Sequence, residues 1–231
     1  MYVVLALVVA VLHQVWAYRV RLALSVRAGG RVPGLSPQWV THLQNWLVRV
    51  LLPVGIVFVE GNDPRFVGFR LPRMDVKIFA SLLFLTGFSL LVFVCVIWFA
   101  LRVARDPRAI RQVRSWPTKL DLTWKRDLLG PVLWTVPEEC FLRGYLVSQF
   151  AAVGSGVALL VSSFFTAAVH WYAGRFWVLL SAFSGVIYGL AFLWTGSLLP
   201  VVIIHAVGNQ ILAPLLAPWA IGLIPEKGPL D

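Results

Sequence analysis

Charge is scarce in this chain. Only 13% of its 231 residues are Asp, Glu, Lys or Arg, whereas 59% are hydrophobic and the mean hydropathy is +0.82. A soluble domain carries about a quarter charged residues, so too little polar surface exists here to cover a water-soluble fold. Cysteine is scarcer still. Cys95 and Cys140 both lie inside apolar stretches, and no disulfide framework follows from them. A glycine-rich phosphate loop, an internal repeat and a low-complexity segment are all missing, which removes nucleotide-loop and solenoid architectures. Acidic residues number 10 against 20 basic ones, for a net charge of +10. The basic residues fall between apolar blocks, where they set membrane orientation and meet anionic headgroups. With no aromatic–basic platform in view, nucleic acid is not a partner; membrane lipid is.

A spanning helix needs about 20 mostly apolar residues. The apolar blocks predict about seven spans, at 2–18, 39–59, 78–101, 128–150, 157–172, 176–195 and 198–222. The expected fold class is therefore all-α, a polytopic transmembrane helical bundle. The run from Met1 to Leu12 has no preceding positive charge and no small-x-small cleavage site, and reads as a retained first span. The second span carries Arg49 inside it and His42, Gln44 and Asn45 near its start, as a partly interfacial segment would. The fifth is short and fits a tilted crossing or one flanked by snorkelling residues.

Segment 19–38 holds four arginines and segment 102–127 holds eight basic residues. Placing both in the cytoplasm puts the N-terminus outside and the C-terminus inside. Sixteen of the 20 basic residues are arginine, which points to a GC-rich bacterial genome and a bacterial inner membrane. The basic stretch also divides the chain. Residues 1–101 read as accessory transmembrane helices, 102–127 as a basic cytoplasmic connector, and 128–222 as the functional helical core.

In the fourth span Glu138, Glu139 and Arg143 sit mid-helix. Each charge at the bilayer centre costs about 2.5–3.5 kcal/mol on insertion scales, so such residues mark function by default. Glu139 and Arg143 are four apart, share a helical face and can pair. Glu138 lies about 100° round the helix, with no local cation expected; a buried carboxylate so placed suits a general base near neutral pH. A bland reading competes, in which the three charges brace a helix contact, but a brace needs only one carboxylate. His170 falls near the end of the fifth span, and His205 and Asn209, again four apart, share a face of the seventh. A lone membrane histidine is more often an interhelical hydrogen bonder. Two histidines and an asparagine on separate spans, beside a Glu-Glu-x-x-x-Arg helix, go beyond that. His13 and His42 have no helically spaced carboxylate and take the bland reading.

Glu138-Glu-Cys-Phe-Leu-Arg143, then His170, then His205-x-x-x-Asn209 resembles the CPBP (also called ABI) family of intramembrane proteases, which includes the CAAX prenyl endopeptidases. The likeness covers about 128–215, with three motifs in order on separate spans. The family usually has Phe four residues before its second-motif histidine; here that position is Thr166, with Phe165 one residue earlier. Cys140 holds a position that is usually apolar and reads as a small core residue.

The resemblance implies an endopeptidase acting on a membrane-associated or amphipathic substrate with an apolar or C-terminal tail. In it Glu138 and His170 activate water, His205 and Asn209 form the oxyanion hole, and Glu139 and Arg143 orient the site. It also favours a glutamate-type, cofactor-free mechanism. Zinc held by the Glu and His residues is the second choice, since no His-Glu-x-x-His helix is present. A non-proteolytic scaffold or small transporter using the same polar cluster is the alternative function, although no paired inverted repeat is visible.

Overall fold

The computed structural model describes residues 43–72, 75–107, 110 and 130–208, with Val4, Val8, Val9 and Leu12. Most of the first expected span, His13, His42, residues 111–129 and the end of the chain from Asn209 lie outside the described residues. Among the described residues every regular element is helical. We label the helices α1 (Leu43–Val59), α2 (Val76–Arg102), α3 (Gly130–Glu139, widening into a π segment over Cys140–Val147 and closing with Ser148–Ala151), α4 (Ser155–Val169), α5 (Arg175–Thr195) and α6 (Leu198–His205). They fall on the second to seventh expected spans. α2 and α5 are long and apolar enough to cross a membrane, while α1, α4 and α6 are shorter apolar helices. An all-α fold with two candidate crossings is thus in place, and the count of seven extends beyond it.

Helix ends follow local chemistry. Asp75, in extended conformation, accepts a hydrogen bond from the Ile78 amide at 2.7 Å and starts α2. Gly196 closes α5 in the left-handed region (φ 63°), a geometry in which a side chain is strained. Ser197 then turns the chain into α6, its Oγ accepting from the Leu199 amide.

The bundle is arranged around α3, whose residues Cys140–Val147 are buried on every side. Burial all round marks a helix at the centre of a membrane bundle, and Cys140 is the small core residue expected. α4 and α5 approach closely because Gly185 has no side chain: a Cβ there would sit 2.6 Å from the Ser163 Cα. Ser163 Oγ also donates to the Ala182 carbonyl at 3.1 Å, the small-residue and hydroxyl packing used where lipid supplies no hydrophobic drive. α2 lies outermost, with Phe79, Phe84, Leu91 and Trp98 exposed. It meets α5 through Phe93, Ile97 and Leu180, and the Asp106–Arg175 pair at 3.6 Å ties its end to the start of α5.

Residues 60–72, between α1 and α2, form a strap folded into the bundle. Val67 is fully buried. Ser148 Oγ donates to the Phe66 carbonyl at 2.7 Å, the Leu198 amide to the Gly68 carbonyl at 3.1 Å, and Ser197 Oγ to the Arg70 carbonyl at 2.6 Å. A Cβ on Gly144 would meet the Val67 carbonyl at 2.5 Å, so only glycine lets the strap approach α3 there. The strap is therefore locked to α3 and α6.

Candidate active site

Pro137 precedes the two glutamates inside α3. It has no N–H, so one rung of the helical ladder is missing, and the helix widens into its π segment immediately after Glu139. Such π segments gather at functional sites. In a membrane every loosened carbonyl needs a partner; Ser162 Oγ supplies one to the Leu142 carbonyl at 3.1 Å.

Glu139 and Arg143 are both fully buried and paired at 3.0 Å, as their spacing predicts. The same Glu139 oxygen, Oε1, accepts from His205 Nδ1 at 2.5 Å. Tyr188 completes this arrangement from α5. Its ring stacks on His205 with centroids 4.9 Å apart, and the Arg143 guanidinium lies 5.2 Å from its centroid. One carboxylate thus links α3 to α6, and an aromatic plate from α5 holds both of its partners. With Nδ1 donating to Glu139, His205 Nε2 is the nitrogen left to face a ligand.

His170 caps the C-terminus of α4. Its Nδ1–H donates to the Thr166 carbonyl at 2.8 Å, which selects the tautomer whose Nε2 lone pair is free. The departure from the family pattern at Thr166 therefore falls on a buried residue whose backbone does the orienting, while its hydroxyl donates to the Ser162 carbonyl at 2.7 Å.

The structure corrects one expectation. Glu138 is not without a cation: Arg49, from α1, places Nη1 3.9 Å from Glu138 Oε2, with both side chains largely buried. The helix-local reasoning failed because the partner comes from another helix, 89 positions away in the chain. His170, His205 and Arg143 are also near enough to act electrostatically on Glu138. Asn209 lies outside the described residues. Glu138 Oε1, Glu139 Oε2, and Arg143 Nε and Nη2 are buried and make no hydrogen bond among the described residues. Leaving such atoms unsatisfied costs about 1–3 kcal/mol each, so these positions call for polar partners.

Sequence reasoning missed Arg49 as a site residue, and Tyr188. An arginine inside an apolar helix was a visible signal for the first; no local spacing points to the second.

Donor atoms of Glu138, Glu139 and His205 lie within 4.8 Å of one another, the one metal-sized group among the described residues. Glu138 Oε1, Glu139 Oε2 and His205 Nε2 are open to a ligand there, while two guanidinium groups stand within 4 Å of the carboxylates and would oppose a dication.

No curated protein and no solved structure matches the chain. Residues 124–211 match the family model described as type II CAAX prenyl endopeptidase, Rce1-like. That segment carries Glu138, Glu139, Arg143, His170, His205 and Asn209, so the resemblance read in those residues holds: over 124–211 this chain is similar to the CAAX-type membrane endopeptidases of the CPBP family.

Proposed function

We propose that the chain is an intramembrane endopeptidase that hydrolyses a peptide bond in a membrane-associated or amphipathic substrate without a metal. The observation that carries this reading is a buried carboxylate, Glu138, with an unpartnered oxygen at the centre of the bundle, acted on by His170 and His205. Glu138, with His170 Nε2, removes a proton from water as the water oxygen attacks the scissile carbonyl. As the imidazolium, with Nδ1–H on Glu139, His205 donates its Nε2–H, together with Asn209, to the oxyanion that forms. Collapse of that intermediate breaks the C–N bond, and the proton held by Glu138 passes to the departing amine. Glu139 and Arg143 touch no substrate in this scheme; they hold the direction of the His205 ring, as their contacts support.

The polar cluster lies among buried helices, so the substrate presents its bond from the bilayer side or in an extended apolar tail. Residues 128–222 form the catalytic core in this reading, with 1–101 accessory to it and 102–127 a basic connector. The protein sits in a bacterial inner membrane with its C-terminus in the cytoplasm, the orientation that the basic segments favour.

The test is hydrolysis by the purified chain in nanodiscs, offered either a farnesylated CAAX peptide or an unmodified amphipathic peptide, with products read by mass spectrometry. Cleavage of at least one peptide at a defined internal bond is expected. No cleavage of either, by protein that melts cooperatively, would overturn the reading.

A further inference from the structure

Arg49 belongs to the accessory side of the chain, outside the matched segment 124–211, yet its guanidinium reaches the site. We propose that Arg49 is a positioning residue for Glu138, so that helix α1 completes the active site. The inference rests on the reading of Glu138 as the base.

Three observations carry it. First, both side chains are largely buried, at 11% and 16% exposure, where a charge needs a counter-charge. Arg143, the cation on Glu138's own helix, is hydrogen-bonded to Glu139. Second, the Nη1–Oε2 separation of 3.9 Å lies beyond hydrogen-bond range. A charge-assisted brace closes to about 2.7–2.9 Å and occupies the carboxylate's lone pairs. At this distance the guanidinium offsets the desolvation of Glu138 while Oε1 remains without a partner, as a proton acceptor requires. Third, the backbone presents Arg49 deliberately. It lies within a π segment, Leu47–Leu51, and Glu138 stands two residues before the π segment of α3. Both helices are locally widened where they face each other, and Asn45, one turn before Arg49, is buried on the same face.

The groups acting on Glu138 are thus Arg49 from α1, Arg143 from α3, His170 from the end of α4 and His205 from α6. Of these, Arg49 is the one whose function no motif supplies.

The test compares R49Q, R49K, E138Q and the double variant R49Q/E138Q, in nanodiscs, with the peptide that the wild type cleaves. Loss of a group that orients a reacting one typically lowers activity by about 10–100-fold. R49Q should lose about that much in kcat with KM within about twofold of wild type, and R49K should recover part of it. Guanidinium chloride at millimolar levels should restore turnover to R49Q, which a merely structural defect would not allow. The double variant should be no slower than E138Q, because Arg49 acts through Glu138. Wild-type kcat in R49Q would overturn the proposal. So would a change in KM alone, or a loss that neither lysine nor guanidinium repairs. If R49Q fails to fold, R49K carries the decision: turnover below one-hundredth of wild type in well-folded protein refutes a role as a positioned charge. If E138Q itself turns over normally, the reading of the base has failed; if E138Q is inactive and R49Q is normal, the Arg49 proposal alone has failed.

Discussion

Replacing Glu139 by glutamine should damage the protein more than removing its whole ion pair does. Glu139 and Arg143 have no exposed side-chain surface, and His205 is 10% exposed. Glutamine keeps the shape of the side chain but leaves the Arg143 guanidinium buried without its counter-charge. Breaking a buried pair from one side typically costs about 3–5 kcal/mol. For a chain of 150–250 residues each kcal/mol moves the melting temperature by about 2–4 °C, so E139Q should melt roughly 6–20 °C below wild type. In R143M/E139Q no stranded charge remains, and methionine fills much of the arginine's volume, so most of that loss should return. The 11 tryptophans give a fluorescence signal for thermal unfolding in a fixed detergent. Both variants should lack activity, because His205 has lost the anion that orients it. A shift below about 2 °C in E139Q, or single-variant losses that simply add in the double, would refute the coupling. Additivity within about 0.5 kcal/mol is what independent sites show.

G185V places side-chain atoms where a Cβ alone would already lie 2.6 Å from the Ser163 backbone; separating α4 from α5 should cost about 1–3 kcal/mol, and an unchanged melting temperature would contradict that packing. In the strap, the Asp63 carboxyl is held below its ordinary value of 3.8 by its hydrogen bonds from Arg65. A depressed folded value means that its contribution is present above about pH 4 and lost on further acidification. Hydrogen exchange at the Arg65 amide should therefore accelerate as pH falls through that range in wild type but not in D63N, after correction for intrinsic rates; identical profiles would refute it. Prolonged treatment with EDTA or phenanthroline should leave turnover intact. Stoichiometric zinc in active preparations, with activity lost on chelation and restored by zinc, would show that a metal generates the nucleophile.

The helices were legible because apolar runs of spanning length have few other solutions, and α1 to α6 fall on the runs expected. The Glu139–Arg143 contact was legible because a spacing of four fixes a shared face before any tertiary structure exists. Interhelical relations were not. Arg49 appeared as an anomaly in an apolar span, and nothing in periodicity could say that it faces Glu138. Tyr188 sits in an unremarkable stretch of α5, and only the packing of α5 against α3 and α6 makes it a plate between Arg143 and His205. Nothing in the residue pattern marks the strap, because its burial depends on backbone carbonyls meeting Ser148, Ser197 and a side-chain-free Gly144. The departure at Thr166 resolves in the same way: the carbonyl that orients His170 is common to every residue type.

The rate of peptide cleavage by E138Q is the most direct measure of the central claim. Glutamine preserves the volume of Glu138 but cannot accept the proton from water. A positioned general base contributes about 10²–10⁴ in rate, so single-turnover cleavage should fall by at least about a hundredfold. Membrane insertion and substrate affinity should stay near wild type. A well-folded E138Q variant that cleaves at the wild-type rate would contradict the account.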